Sequence, residues 1–118
     1  INVEPQVEKQ VISSATAKVM TWMMVNAVEN GEAKFAKIPN YHIAGKTGTA
    51  QIPVAGHYDP TNTNASFVGF FPAEDPQITM LVIVNRPQSS IYGAETAAPT
   101  FFAIARDIIQ YYNIESSK

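Results

Sequence analysis

Between Ala44 and Gln51 the chain reads AGKTGTAQ, which places one ammonium, two hydroxyls and two glycines within five residues. Charged side chains make up only 15 % of the 118 residues, so such a concentration of polar groups asks for a chemical reason. Acyl transfer offers one. Its developing oxyanion is held by backbone N–H donors about 3 Å away, and the outer strand of a sheet turns N–H groups away from its neighbour. Gly48 removes the side chain that would keep a substrate off such an edge. Strand alternation puts Thr47 and Thr49 on one face, where their hydroxyls meet an anionic group such as a terminal carboxylate. Lys46, on the other face, raises the local positive potential. The stretch reads as an anion-holding wall along one side of an active site. A phosphate-loop reading of Gly45-Lys46-Thr47 fails, because that motif needs glycine where Asn40 stands and a helix beginning at the lysine.

Other candidates are weaker. His42 and His57 stand fifteen residues apart with no third ligand in view, which favours structural or surface roles over metal binding or base catalysis. Asp59 to Asn64 has a faint calcium-loop pattern, but Asn64 stands where glycine is needed and Phe70 where the bidentate glutamate belongs. The chain has no cysteine, which excludes disulfides, thiolate catalysis and cysteine-ligated zinc. A formal charge of −2 with scattered basic residues argues against a nucleic-acid partner. No segment approaches the roughly 18 to 20 apolar residues of a membrane span.

The elements that must position the wall follow from periodicity. Val7, Val11 and Ile12 read as an extended lead-in, and Ser13-Ser14 offers a helix N-cap. Ala15 to Asn30 lacks Gly and Pro. Val19, Trp22, Met23 and Ala27 fall at helical spacing beside Met20, Met24 and Val28, which predicts a helix with these rows in the core. Gly31 is expected to stop it with a positive φ. Tyr41 to Ile52 reads as a strand, and the Pro-, Asn- and Asp-rich segment from Pro53 to Asn64 as a mobile loop. Ala65 to Phe71 is the second strand and Ile78 to Val84 the third, the latter apolar enough for a central position. Thr96 is expected to cap a final helix with Pro99 in its first turn. Phe101, Ile104, Ala105, Ile108 and Tyr112 form its inward stripe, with Phe102 and Ile109 beside them. The fold class is α+β: a helix, a three-stranded antiparallel meander, and a C-terminal helix packed on the sheet.

Lys46-Thr47-Gly48, followed by Thr49-Ala50-Gln51, resembles the third signature of the penicillin-binding proteins and serine β-lactamases. Several other stretches extend the likeness over nearly the whole chain. They are Val28-Glu29-Asn30-Gly31, the run Asn64 to Phe70 with Pro72 and Asp75-Pro76 after it, and Tyr92-Gly93 with Ala97-Ala98-Pro99. Together they resemble the C-terminal end of class B penicillin-binding transpeptidases, the division type above all. The resemblance implies that Lys46 holds the hydrogen-bond network around the nucleophile. It implies that Thr47 and Thr49 bind the carboxylate of a D-Ala-D-Ala stem peptide or a β-lactam. The Thr49 N–H then supplies half of the oxyanion hole, Gly48 admits the ligand, and Gln51 stands at the end of the site. Tyr92-Gly93 shapes the adjacent loop. No cofactor and no metal are implied.

The family's serine nucleophile is followed three residues later by lysine, and none of the seven serines here has Lys at that spacing. A Ser-x-Asn signature is equally missing. The chain begins at Ile1 without Met, and residues 1–118 are expected to form the C-terminal portion of a transpeptidase domain within a longer protein. The resemblance places the S-x-x-K and S-x-N signatures, two further strands of a five-stranded sheet and a membrane anchor upstream, and the whole on the outer face of the bacterial cytoplasmic membrane. The third strand here then pairs with the first of that sheet; alone it exposes an edge and an apolar face. This chain by itself is expected to be inactive. Alternative readings are a β-lactam sensor or docking module without turnover, and a serine β-lactamase.

Overall fold

The computed structural model describes residues 6–117. Its elements run α1 (Ser14–Asn30), a 3-10 turn (Lys34–Ala36), β1 (Ala44–Val54), β2 (His57–Phe71), β3 (Ile78–Asn85) and α2 (Ala97–Tyr112). The strands form one antiparallel sheet in the order β1-β2-β3. The expected α+β meander between two helices is what the chain forms.

Pairing fixes which residues share a face. Thr47 lies opposite Phe67 and Lys46 opposite Val68, while β3 places Val82 opposite Phe67 and Leu81 opposite Val68. The face bearing Phe67 and Phe71 is covered by α2, whose Phe101 and Phe102 are fully buried. The Phe67 ring meets those of Phe101 and Phe102 at centroid distances of 4.7 and 5.4 Å, in tilted geometries that aromatic quadrupoles favour. Met80, Val82 and Val84 pack against the same core. On the opposite face Phe70 packs with Val25, Ala44 and Ala73, where α1 approaches. Beyond that contact Leu81 and Ile83 remain more than half exposed.

α1 starts as expected, with the Ser13 hydroxyl accepting from the Thr16 N–H at 3.1 Å. Its core-facing rows differ from the expectation. Val25 and Val28 are buried, whereas Val19, Met20, Trp22 and Met23 are exposed. Periodicity reports that a helix has apolar faces; which of them is covered depends on what packs there, and the described residues cover only the Val25–Val28 side. Gly31 also ends the helix by another route. Its φ is −90°, and the glycine is required because a Cβ would run into the Ala27 carbonyl oxygen.

β1 starts at Ala44, later than the predicted Tyr41, because the preceding residues hydrogen-bond to the C-terminal tail instead of a strand. Tyr41 OH donates to Ile114 O at 2.8 Å and the His42 N–H donates to Ser117 Oγ at 3.1 Å. The predicted mobile loop from Pro53 to Asn64 is in fact ordered. β1 and β2 run past β3 as a hairpin arm that closes at Ala55-Gly56, both at positive φ, in a two-residue turn suited to strand twist. The prolines fit because a register irregularity lies between Gln51 and Pro53 and because β3 pairs with β2 only from Asn64 onward, which leaves Pro60 outside that ladder. Asp59 accepts from the Thr61 and Asn62 N–H groups at 2.8 and 3.1 Å, so the acid that suggested a calcium loop serves its own turn. Those bonds hold its carboxyl well below the usual carboxylate range.

Among the described residues β3 borders the sheet, where a central position was expected, and its exposure alternates along its length. In α2 the buried stripe is Ala98, Phe101, Phe102, Ala105 and Ile109, whereas the predicted Ile104 and Tyr112 lie exposed. Thr96 precedes the helix but does not cap it with its side chain; its hydroxyl donates to Tyr92 O at 2.8 Å. At the other end Asn113 is left-handed, with its N–H donating to Gln110 O at 3.4 Å and that of Ile114 to Ile109 O at 3.1 Å, a Schellman closure that buries Ile114 against Ile109. Phe67→Ala is expected to lower unfolding free energy by about 3–5 kcal/mol. Gln110→Ala, on the exposed side of α2, is expected to change it by less than about 0.5 kcal/mol. Urea denaturation followed by far-UV circular dichroism checks both.

Candidate active site

β1 borders the sheet, so one side of its backbone faces away from β2. The Lys46 side chain curls along that side. Its Nζ donates to Thr47 O at 2.8 Å and to Thr47 Oγ1 at 3.3 Å. The Thr47 carbonyl therefore points off the sheet, and the two-residue period of an antiparallel ladder turns the Thr49 N–H the same way. Lys46 and Thr47 begin on opposite faces, yet the flexible lysine stem brings ammonium and hydroxyl together at the edge.

A cleft of about 230 Å³ adjoins this edge, between Gly45, Lys46 and Thr47 on one side and Gly31 and Glu32 at the end of α1 on the other, with Phe67 at its base. At the far end of the motif the segment Ile91–Gly93 crosses the sheet and is tied down by two threonines. Thr49 Oγ1 accepts from the Gly93 N–H at 3.2 Å. Thr63, only 1 % exposed, donates its hydroxyl to Ile91 O at 2.6 Å. A Cβ on Gly93 would collide with the carbonyl oxygens of Gly48 and Ser66, so only glycine lets the segment lie this close. Tyr92 stands exposed between the two ties.

The remaining predicted residues are placed as follows. Gly48 pairs with Ser66, and a Cβ there would meet the Ser66 hydroxyl. Gln51 is exposed, opposite Thr63, where the strand register shifts. Lys46, Thr47 and Thr49 thus share one stretch of edge, while Gln51 marks its end.

Sequence reasoning missed Thr63 because it assigned that stretch to a loop. It also placed His42 on the strand, whereas the residue precedes β1 and joins a cluster. His42 Nδ1 bonds Glu74 Oε1, and Ser117 Oγ donates to Glu74 Oε2 at 2.8 Å. Partial burial raises the Glu74 pKa, but the bonds from His42 and Ser117 outweigh it and hold the carboxyl below its ordinary value. His57 is exposed at the hairpin turn. Among the described residues no group of three or more His, Cys, Asp or Glu could hold a metal ion.

A helix, an antiparallel meander with a Lys-Thr-Gly border strand, and a second helix across the sheet define the serine transpeptidase and β-lactamase class of architecture. The model of the penicillin-binding protein transpeptidase domain matches residues 2–110, and the chain belongs to that family. It is 36 % identical over 115 residues to stage V sporulation protein D of Bacillus subtilis, covering 97 % of this chain and 18 % of that protein. It is 40 % identical over 111 residues to the peptidoglycan D,D-transpeptidase FtsI of Buchnera aphidicola, covering 91 % and 19 %. The transpeptidase domain of penicillin-binding protein 3 from Burkholderia pseudomallei superposes with a TM-score of 0.85 at 32 % identity, over 98 % of this chain and 35 % of that one. Penicillin-binding protein 3 of Mycobacterium tuberculosis, solved with ampicillin, gives 0.83 at 30 % identity, over 98 % and 28 %. The chain therefore spans less than a fifth of these curated relatives and about a third of the solved domains. The resemblance to class B penicillin-binding transpeptidases drawn from the sequence is borne out.

Thr49→Val leaves the Gly93 N–H without its acceptor and is expected to speed its hydrogen exchange about tenfold, while Thr49→Ser keeps the wild-type rate. The Glu74 cluster sets an acid limit as well. Because the folded carboxyl titrates below its unfolded value, its contribution is complete above the ordinary carboxylate range and is lost as the pH falls through the folded value. Wild type is expected to exceed Glu74→Gln in melting temperature at neutral pH, with the gap closing as the pH falls below the ordinary carboxylate range.

Proposed function

We propose that residues 1–118 are the C-terminal portion of the transpeptidase domain of a penicillin-binding protein that cross-links peptidoglycan through an acyl-serine intermediate. The observation that carries the reading is the Lys46 ammonium 3.3 Å from the Thr47 hydroxyl on the outward edge of β1, beside an open cleft. A serine from the rest of the longer protein attacks the penultimate D-Ala carbonyl of a stem peptide and D-Ala leaves. An amine on a neighbouring stem then resolves the acyl-enzyme.

Each residue of the edge has a part in this scheme. Lys46 organises the hydrogen bonds around the nucleophile and attracts the substrate carboxylate. Thr47 donates its hydroxyl to that carboxylate. Thr49 Oγ1 accepts from Gly93 and keeps its own hydrogen to donate, while the Thr49 N–H gives half of the oxyanion hole. Gly48 keeps the edge low so that an extended ligand can lie along it, and Gln51 closes its end. No cofactor takes part.

β-Lactams occupy the same edge and acylate the same serine. Support comes from penicillin-binding protein 3 of Mycobacterium tuberculosis, a relative solved with ampicillin and with aztreonam. The nucleophile and its lysine, the Ser-x-Asn wall and a membrane anchor belong to the upstream part of the protein. The exposed Leu81 and Ile83 on β3, an outer strand here, are then covered from that part, which continues the sheet toward five strands. The substrate places the domain on the outer side of the bacterial cytoplasmic membrane.

Acylation of the full-length protein by a fluorescent penicillin tests the reading. Lys46→Met is expected to slow acylation about 10²-fold or more, the scale on which removal of one transition-state donor acts. Gln51→Ala is expected to change it less than about twofold, in keeping with an exposed position at the rim. A Lys46→Met protein that is labelled as fast as wild type overturns the assignment.

A further inference from the structure

A second pocket, of about 350 Å³, is lined by Glu32, Phe35, Tyr92, Ala94 and Glu95. It adjoins the Lys46–Thr47 cleft, because Glu32 lines both. Its two walls come from the turn after α1 and from the segment ahead of α2, and backbone bonds fix each of them. On the first wall the Lys34 N–H donates to Gly31 O at 3.3 Å and the Ala36 N–H to Ala33 O at 3.0 Å. On the second the Glu95 N–H donates to Tyr92 O at 3.2 Å, and the Gly93 N–H is held by Thr49 Oγ1 of the motif itself. Tyr92 is thereby anchored to the active edge. Ala94, 6 % exposed, contributes only a methyl group and leaves the pocket its depth.

The lining combines two kinds of group. Phe35 and Tyr92 are 63 % and 54 % exposed, and neither ring stacks on another among the described residues. Glu32 and Glu95 have no ion pair and no side-chain hydrogen bond among the described residues. Lys46 lies on the neighbouring cleft, but its ammonium is bonded to Thr47. The pocket therefore offers two carboxylates and two aromatic rings with no cationic side chain in its lining. A ring face carries the negative end of the quadrupole and attracts a cation, as a carboxylate does. An anionic ligand group is repelled by both glutamates, and a neutral apolar group gains nothing from them. An ammonium group is attracted by both kinds of wall.

We propose that this pocket is a subsite for a primary ammonium group on a ligand lying along β1, with Glu32 and Glu95 as its counter-ions and Phe35 and Tyr92 as its ring walls. The edge selects an anion through Lys46 and Thr47, and the adjoining pocket selects a cation. Together they favour a ligand that carries a free carboxylate and a free amine on separate parts of its chain. A stem peptide with an unreacted amine has that form, and so does a β-lactam with an amino group on its side chain. The preference among ligands rests on the transpeptidase reading above; the binding of an ammonium group does not.

The test uses the full-length protein and two penicillins that differ by one amino group, ampicillin and benzylpenicillin, at about pH 6, below the titration range of an α-amino group. The ratio of their acylation rate constants is taken within each protein, which cancels any change in folding or in the nucleophile common to both. Glu32→Gln together with Glu95→Gln is expected to lower the ampicillin-to-benzylpenicillin ratio about three- to tenfold, the scale of exposed ion pairs added to a ring contact. Glu115→Gln, which removes an exposed carboxylate from the C-terminal tail, is expected to leave the ratio within about twofold of wild type. Binding is read separately by hydrogen exchange of the amides of residues 32–36 and 92–96 with pentylammonium, and with 1-pentanol as its neutral match. Protection by pentylammonium alone, lost in the double variant, is the expected result. Equal effects of the amine and the alcohol, or an unchanged penicillin ratio in the double variant, overturn the proposal. If neither penicillin acylates the protein, the transpeptidase reading fails, and the exchange measurement alone decides the ammonium subsite.

Discussion

A slip of β1 by one residue on β2 would turn the Thr47 and Thr49 hydroxyls to the other face of the sheet, because side chains alternate with a period of two. What prevents it is the burial of Phe67. This ring is 1 % exposed and wedged against Phe101 and Phe102, so the inward face of β2 is set by its place in the buried aromatic cluster. Pairing of Phe67 with Thr47 then hands that choice to β1, and Val82 opposite Phe67 hands it to β3. Core and active edge are thus one decision. The position of α2, far from the motif in sequence, determines which groups the motif presents.

The same strand answers two opposing demands. An outer strand with exposed N–H and C=O groups invites pairing with any extended chain, which is a hazard in a soluble protein and an opportunity in one that grips a peptide. Here the edge carries charge and glycine together: Lys46 discourages casual strand addition, and Gly48 leaves room for the Ser66 hydroxyl on the neighbouring strand. At the opposite border of the described sheet, β3 leaves apolar Leu81 and Ile83 more than half exposed.

Threonine hydroxyls connect this edge to the rest of the fold. Thr49 and Thr63 each fasten one end of the Ile91–Gly93 segment, and the bare Gly93 lets it lie against the backbone of Gly48 and Ser66. A shift of this segment therefore moves the wall beside Tyr92 and the orientation of the Thr49 hydroxyl together. On the other flank His42, just ahead of the strand, bonds Glu74 and Ser117 and packs on Trp22 of α1, so both ends of the edge are held by contacts between residues remote in sequence.

The sequence by itself determined what depends on neighbours along the chain. The Lys-Thr-Gly-Thr stretch, the Ser13 cap, the Ile78 strand, the final helix and the family resemblance were all legible, because each rests on spacing or local backbone preference. It misjudged features that depend on residues far away. Pro53 to Asn64 has the composition of a loop, yet cross-strand bonds to its own partner make it a hairpin arm. The apolar rows of α1 were correct as rows, but only packing decided that Val25 and Val28 go inward while Trp22 and Met23 do not. Gly31 was legible as a stop but not for its reason, which is the closeness of the Ala27 carbonyl. The bonds from His42 to Glu74, and from Thr63 to Ile91, have no sequence signal at all. Periodicity records which conformation each segment prefers; which face is buried, and which polar groups meet, is settled only when distant segments compete for the same space.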